Sequence, residues 1–357
     1  VSSTTNKLLP FLPLPLVQIL LGIVIGLFLP NTDFHLNTEL FLALVIGPLL
    51  FRESEEADIT AILKHWRIII YLIFPVIFIS TLSLGGLAHL LWLSLPLAAC
   101  LAVGAALGPT DLVAFASLSE RFSFPKRVSN ILKGEGLLND ASGLVAFQVA
   151  LTAWTTGAFS LGQASSSLIF SILGGFLIGL LTAMTNRFLH SFLLSVRATD
   201  IASELLLELS LPLVTFFLAE EVHVSGIIAV VVAGILKASR FKKITLLEAQ
   251  VDTVTETVWH TVNFMLNGSV FVVLGMELEM IAEPILTNPI YNPLLLLGSL
   301  VALTFVLFAI RFVMIYGYYA YRTRRLKKKL NKYIKDMLLL TFSGVKGTVS
   351  IATILLI

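Results

Sequence analysis

Residues Lys133–Gly143 read KGEGLLNDASG, and the chain runs on as LVAFQVALTAW to Trp154. Three strongly polar side chains, Glu135, Asn139 and Asp140, therefore sit in a run that is otherwise apolar and long. A hydrocarbon core about 30 Å thick is crossed by about 20 helical residues, and this run has that length. At 100° per residue, Glu135 and Asp140 lie about 140° apart around a helix, on different faces. Glu135 shares its face with Asn139, and Asp140 shares its own with Gly136. One carboxylate can then be tied to a cation of the protein while the other faces a polar pathway.

The rest of the chain is equally apolar. Its 357 residues are 57% hydrophobic and 13% charged, with a mean hydropathy of +0.94. Soluble domains carry about 25% charged residues. Apolar runs between polar breaks predict eleven spans, near 13–29, 38–51, 67–93, 96–119, 130–155, 165–187, 201–219, 223–239, 257–276, 293–320 and 337–357. The short second span needs local thinning or tilt of its neighbours. The expected fold class is an all-α polytopic membrane protein. A transmembrane barrel would instead show alternating segments of about 10 residues. No signal-peptide pattern opens the chain, which starts at Val1 and stops at Ile357 inside an apolar run. We expect a trimmed chain that lacks a helix at each end. The lone Cys100 forms no internal disulfide, and a net charge of +2 gives no reason to expect nucleic acid.

Basic residues predict orientation. Threading the spans puts all but two of the 24 Lys and Arg on one side, ending with the YRTRRLKKKLNKYIK segment. The opposite loops, such as PNTDFHLNTE and EEVHVS, carry none. The basic side is predicted to be cytoplasmic, by the rule that short cytoplasmic loops are rich in Lys and Arg. The two exceptions, Arg311 and Lys346, fall within spans.

Two spans are interrupted: AVGAALGPTDLVAF at Gly108–Pro109, and TFSGVKGTVS at Gly344 and Gly347. Proline removes a backbone donor and clashes with the preceding turn, and glycine weakens a helix. Freed peptide groups survive at membrane depth only when buried in protein or lining a polar cavity. Paired breaks at matching places in two halves point to a site between inverted repeats. If one helix precedes the chain, each break falls in the fifth span of its repeat.

An ionisable group inside a span is costly and normally has a partner or a pathway. Asp111, Glu135, Asp140, Glu204, Glu208, Arg311 and Lys346 are the candidates. Glu204 is expected at a cytoplasmic mouth, and Glu208 is open between an interhelical polar contact and a functional role. Arg311, in LFAIRFVMIYG, is the natural partner for Glu135, because guanidinium stays charged and binds carboxylate bidentately. That neutral pair is expected to be structural, which leaves Asp140 without a fixed counter-ion. A partly desolvated carboxylate holds a proton tightly yet releases it to a hard cation. The oxygens of Asp140, Asn139, Thr110, Asp111 and a broken backbone suit sodium or potassium. Scattered histidines and a single thiol do not suit a transition metal.

These residues resemble a family. GEGLLNDASGLV is similar to the Glu-Ser-x-x-Asn-Asp signature of the NhaP-type and sodium/proton exchanger branch of monovalent cation:proton antiporters. PTDLVAF resembles its Thr-Asp-Pro-Val-Ala stretch, and LPLVTFFLAEEVHVSGIIAVVVAGILKA, FMLNGSVFVVLGMEL and SGVKGTVSIA resemble its later helices in order. The resemblance implies an inverted-repeat antiporter fold of thirteen spans, about eleven of them present, with two discontinuous helices crossing in the core. It implies a homodimer in a bacterial plasma membrane, whose six-helix core moves past a dimerisation domain. Residues 1–93 would hold the first repeat's dimerisation-side helices and their connection to the core. Residues 94–190 would hold core helices with the Thr-Asp and Asn-Asp motifs, 191–290 the second dimerisation-side set, and 291–357 the core helices with Arg311 and the SGVKG break. Asp140 would carry the ion or proton beside Asn139. The Thr110–Asp111 break would cross the Gly344–Lys346–Gly347 break, and Glu135 would pair with Arg311.

Three departures stand out. Gly136 replaces the family's usual serine, Leu112 replaces the proline after the aspartate, and Lys346 replaces arginine. The expected function is a transporter and not an enzyme, with no cofactor. It is a secondary antiporter exchanging sodium, or alternatively potassium or lithium, for protons by alternating access, serving pH homeostasis. A single carrier carboxylate beside asparagine suggests electroneutral exchange. A cation channel and an intramembrane aspartyl protease with an Asp111–Asp140 dyad are the alternatives. The first lacks a repeated filter-like segment and the second lacks the protease motifs.

Overall fold

The structure is a computed structural model that describes residues 14–28, 38–92, 95–110, 124–156, 161–196, 200–238, 246–287, 293–325, 327 and 330–342. Among these residues every regular element is helical. In chain order α1 is Leu14–Phe28, α2 covers 38–56, α3 is Ile59–Leu63, α4 is Trp66–Leu91 and α5 is Leu97–Ala106. Then come α6 (Lys126–Thr156), α7 (Leu161–Ser195), α8 (Ile201–Glu221), α9 (Gly226–Ala238), α10 (Leu246–Thr287), α11 (Pro293–Arg325) and α12 (Ile334–Phe342). Five of these contain segments long and apolar enough to cross a membrane: Trp66–Leu91, Ile169–Ser195, Ile201–Glu221, Thr253–Leu278 and Gly298–Arg325. Their outward side chains are apolar as well; Phe28, Phe188 and Phe305 are 83%, 72% and 74% exposed. Such a surface suits lipid, not water.

Most helices start and stop close to the expected spans, with two instructive differences. The second was expected to end at 51, but α2 runs on to Glu56 and carries Arg52, Glu53, Glu55 and Glu56 in helix. Those charges are compatible with a helix because Arg52 reaches Glu55 and Glu56 one turn on. The ninth was expected over 257–276, whereas α10 occupies 42 residues and extends at both ends. Two helices also widen locally. A π-turn at Leu42–Ile46 precedes Pro48, and another at Leu72–Val76 contains Pro75. Proline supplies no N–H to the ladder, and a single wider turn absorbs the defect without ending the helix.

The chain divides into two compact units. Unit 1 comprises Val1–Ala57 and Ser165–Met276, with the final Leu356–Ile357. In it α1 and α10 approach so closely that a Cβ at Gly22 would strike the Val272 carbonyl, and one at Gly275 the Ile19 carbonyl. Small residues that let backbones touch are the usual packing device inside a bilayer. A polar centre joins α2, α8, α9 and α10. Lys237 pairs with Glu208 and, at 3.3 Å, with Glu55, while Trp259 donates its indole N–H to Glu208 at 3.3 Å. The α8 C-terminus closes with the Val224 N–H on the Ala219 carbonyl and the His223 N–H on that of Glu220. His223 takes the left-handed conformation that this kind of cap requires.

Unit 2 comprises Asp58–Ala164 and Glu277–Leu355. Its larger core cluster joins Ile68, Ile69 and Leu72 of α4, Val128 and Ile131 of α6, Ile315 and Tyr319 of α11, and Met337 and Leu340 of α12. A second cluster packs Ala102, Ala105 and Ala106 of α5 against Phe147 and Ala150 of α6. These two clusters fix α6, which carries the Asn-Asp motif, against α4, α11 and α12 near its start and against α5 further along.

Candidate functional site

Helix α6 presents a polar stripe within unit 2. Glu135, Asn139 and Gly143 are spaced four residues apart, so they stack along one face. Glu135 is fully buried and Arg311 is 3% exposed. The guanidinium grips the carboxylate bidentately, Nη1 to Oε1 at 2.7 Å and Nη2 to Oε2 at 2.8 Å. Its third nitrogen, Nε, donates to the Leu340 carbonyl at 3.0 Å. That carbonyl belongs to α12. Arg311 therefore neutralises a buried acid and binds a main-chain carbonyl of α12 with one planar group.

One turn along the stripe, Asn139 donates from Nδ2 to Thr110 Oγ1 at 2.9 Å, and both side chains are buried. Thr110 can be there because α5 stops at Ala106. The Leu107 and Gly108 N–H groups close the last turn on Val103 and Ala105, and Pro109 then ends the ladder. At the next turn of α6, a Cβ on Gly143 would overlap the Pro109 ring. Glycine is needed at 143 for the break to lie against the helix. The break expected at Gly108–Pro109 is thus present, and its residues 109 and 110 run along the 139–143 face.

Asp140 follows Asn139 in α6, so its Cβ leaves the helix about 100° round from the Thr110 contact. The Asp140 side chain lies outside the described residues, as do Asp111, Gly344, Lys346 and Gly347. Gly136, on the face of Asp140, is buried. Among the described residues no group of three or more His, Cys, Asp or Glu forms a metal cage.

The other sequence candidates lie in unit 1. Glu208 makes the interhelical contact already described, and Glu204 pairs with His190 Nε2 at 3.2 Å. Sequence reasoning did not find the Gly143–Pro109 contact or the Arg311–Leu340 hydrogen bond. The first had a signal in the four-residue spacing from Asn139, while the second depends on α12 packing against α11, which propensity alone does not locate.

α5 thus stops at Gly-Pro against the polar face of α6, and interruptions of this kind are the feature from which ion sites are built in discontinuous membrane helices. The chain belongs to the sodium/hydrogen exchanger family (transmembrane), whose model matches residues 2–357. It is 35% identical over 353 residues to a sodium, potassium, lithium and rubidium/H(+) antiporter of Bacillus pumilus, covering 98% of this chain and 53% of the relative. The Bacillus subtilis protein of the same name is 35% identical over 355 residues, covering 99% of this chain and 53% of the relative. The chain thus spans about half the length of these two relatives. The fold matches that of the sodium proton antiporter MjNhaP1 of Methanocaldococcus jannaschii. The TM-score is 0.69 at 20% identity, over 99% of this chain and 82% of that one.

Proposed function

We propose that this chain forms the transport unit of a secondary antiporter that exchanges an alkali cation for a proton by alternating access, with Asp140 as carrier. The observation that carries the reading is the Asn139–Thr110 hydrogen bond, which ties the Asn-Asp motif to the broken helix. With Asn139 held there and Glu135 neutralised by Arg311, Asp140 is the carboxylate of α6 left to titrate. Asp111 and the backbone freed at Pro109 supply further oxygens, and Lys346 with Gly344 and Gly347 forms the second crossing segment. Protonated, the carrier is neutral; ionised, it holds one cation. Exchange through a single such group is one for one and electroneutral. The family consists of exchangers, which favours this reading over the channel and the protease.

Four finer statements belong to the same reading. The protein is a homodimer in a bacterial plasma membrane, its basic loops face the cytoplasm, and the four sequence segments divide it into dimerisation-side and core helices. Gly136 leaves the coordination place of a hydroxyl to water or main-chain oxygen, and a bridging water costs at most about 2 kcal/mol. Discrimination between sodium and potassium is therefore weak, consistent with the range of ions in the names of the Bacillus relatives.

Proteoliposomes loaded with a pH-sensitive dye test the reading. Sodium and potassium chloride should each release protons at comparable half-maximal concentrations, and Asp140→Asn should abolish the signal in a folded protein. Gly136→Ser should shift preference toward sodium. Exchange that survives Asp140→Asn overturns the carrier assignment, and outright rejection of potassium overturns the account of Gly136.

A further inference from the structure

One end of unit 2 gathers cations that the ion site does not use. The core of Ile68, Val128, Ile315, Tyr319 and Met337 clamps four elements together. The α3–α4 turn, the start of α6, the end of α11 and the start of α12 consequently meet. Arg127 is fixed at their junction, lying over the rings of Tyr319 and Tyr333 at 5.5 and 5.1 Å. It donates to the Tyr319 hydroxyl at 3.3 Å and faces Asp336 at 3.4 Å. Lys64 and Arg322 stand exposed beside it. His65, in the turn, lies within the field of Arg127 from α6, Arg322 from α11 and its neighbour Lys64. The α12 carboxylate, Asp336, is engaged by Arg127, and Asp58 is occupied in capping α3.

Depth distinguishes this cluster from an ordinary surface patch. Trp66–Leu91 begins one residue after His65, and Gly298–Arg325 ends three residues after Arg322. Trp66 and Tyr321, 50% and 68% exposed, flank the cluster. Both are side-chain types that settle at the membrane–water boundary. Leu63 and Leu338 offer exposed apolar surface close by. The cations are therefore at headgroup level, with apolar surface below them.

We propose that this end of unit 2 binds the headgroup of an anionic phospholipid, with Lys64 and Arg322 as direct contacts and His65 as a contact that strengthens in acid. The fixed Arg127 sets the field of the notch, and Trp66 and Leu63 receive the glycerol and upper acyl chain. Burial first, then the surrounding Arg127, Arg322 and Lys64, hold His65 below the usual imidazole range. It is neutral at neutral pH. A phosphodiester placed among these groups favours the imidazolium, so affinity rises as pH falls. Each basic group near an anionic surface contributes roughly a fivefold gain in affinity. The site involves neither Asp140 nor Asn139, so its test is independent of transport.

Native mass spectrometry and thermal unfolding of the detergent-solubilised protein, with added lipid, decide the matter. Phosphatidylglycerol should be retained and should raise the unfolding temperature, whereas phosphatidylcholine and inorganic phosphate should not. Arg322→Gln and Lys64→Gln should each weaken phosphatidylglycerol binding roughly fivefold. Arg187→Gln, which removes one exposed charge from unit 1, should leave it unchanged. His65→Gln should abolish the gain in affinity between pH 7.5 and 5.5 and keep binding at pH 7.5. Equal retention of the two lipids, or equal losses in Arg322→Gln and Arg187→Gln, overturns the proposal. Stabilisation by inorganic phosphate as strong as by the lipid shows a site for soluble anions and overturns the lipid assignment.

Discussion

The two units each bury an ionic centre, and the centres are built on opposite plans. In unit 2 one acid meets one base: Glu135 and Arg311 exchange two short hydrogen bonds, and both are sealed from solvent. In unit 1 Arg52 and Lys237 face three carboxylates, Glu55, Glu56 and Glu208. That centre is wetter; the side chains of Arg52, Glu55 and Glu208 are about one-seventh exposed, and Glu56 is 59% exposed. Aromatic faces complete it, with Arg52 over Trp259 at 5.9 Å and Lys237 over Phe51 at 5.4 Å. A sealed centre must balance its charge, because an uncompensated ion in low dielectric is very costly. A centre that touches water can carry an excess acid and share its cations.

The sealed centre should break hardest. Arg311→Met leaves the buried Glu135 carboxyl without its partner, and we expect a loss of about 3–5 kcal/mol in stability. Glu135→Gln strands the guanidinium and should be comparable. The double variant removes both charges and should recover part of the loss, although the Leu340 carbonyl still loses its Arg311 donor. Thermal unfolding of the four proteins in detergent gives the coupling. Strictly additive losses would show that the two groups do not interact.

The contrast also explains what the sequence made legible. The Glu135–Arg311 pair could be read beforehand because an acid and a base inside apolar runs have few possible partners. The break at Gly108–Pro109 was legible because glycine and proline act locally. The unit 1 centre was not. Arg52 and Lys237 lie close enough to helix ends to read as loop charges under the rule that orients the chain. Arg52 is covered by Trp259 of α10, 207 residues on, and Lys237 by Phe51 and Glu55 of α2, more than 180 residues back. Glu208 was left open for the same reason, since Lys237 and Trp259 become its neighbours only in the fold. Gly344, Lys346 and Gly347 of the second break lie outside the described residues.

The wet centre should give way less. Lys237→Met removes one cation, but Glu55 keeps Arg52 at 2.9 Å and Glu208 keeps the Trp259 indole. We expect about 1–2 kcal/mol, the cost of part-buried acceptors losing one donor. Glu56→Gln touches the most exposed member of the network and should change stability by less than about 1 kcal/mol. A loss for Lys237→Met as large as that for Arg311→Met would show that water does not reach unit 1's centre and would erase the distinction between them.

The mildest expected effects belong to two matched aspartates, one per unit, and they sharpen the comparison outside the membrane. Asp58 opens α3, accepting from the Thr60 hydroxyl at 2.7 Å and the Ala61 N–H at 3.0 Å. Asp200 opens α8 with a capping box, accepting the Ser203 N–H at 2.7 Å while Ser203 Oγ accepts the Asp200 N–H at 3.1 Å. The Thr60 hydroxyl and then the Ala61 N–H hold Asp58 below the ordinary carboxylate range. The Ser203 side chain and then its N–H do the same for Asp200. A depressed folded value means that each ionised cap stabilises its helix at any pH above the unfolded carboxylate value. That contribution fades as pH falls from there through the folded value. Stability at neutral pH should accordingly not depend on small pH changes through these groups, and their loss should begin only below about pH 4. Asp200→Ser keeps a capping oxygen that does not titrate. It should leave the neutral-pH unfolding temperature almost unchanged and flatten its decline between pH 4.5 and 3, as a pH series of thermal melts would show. Asp58→Ser should flatten it less, because α3 has only five residues and little packing to lose when it frays, whereas α8 is a 21-residue helix anchored into unit 1.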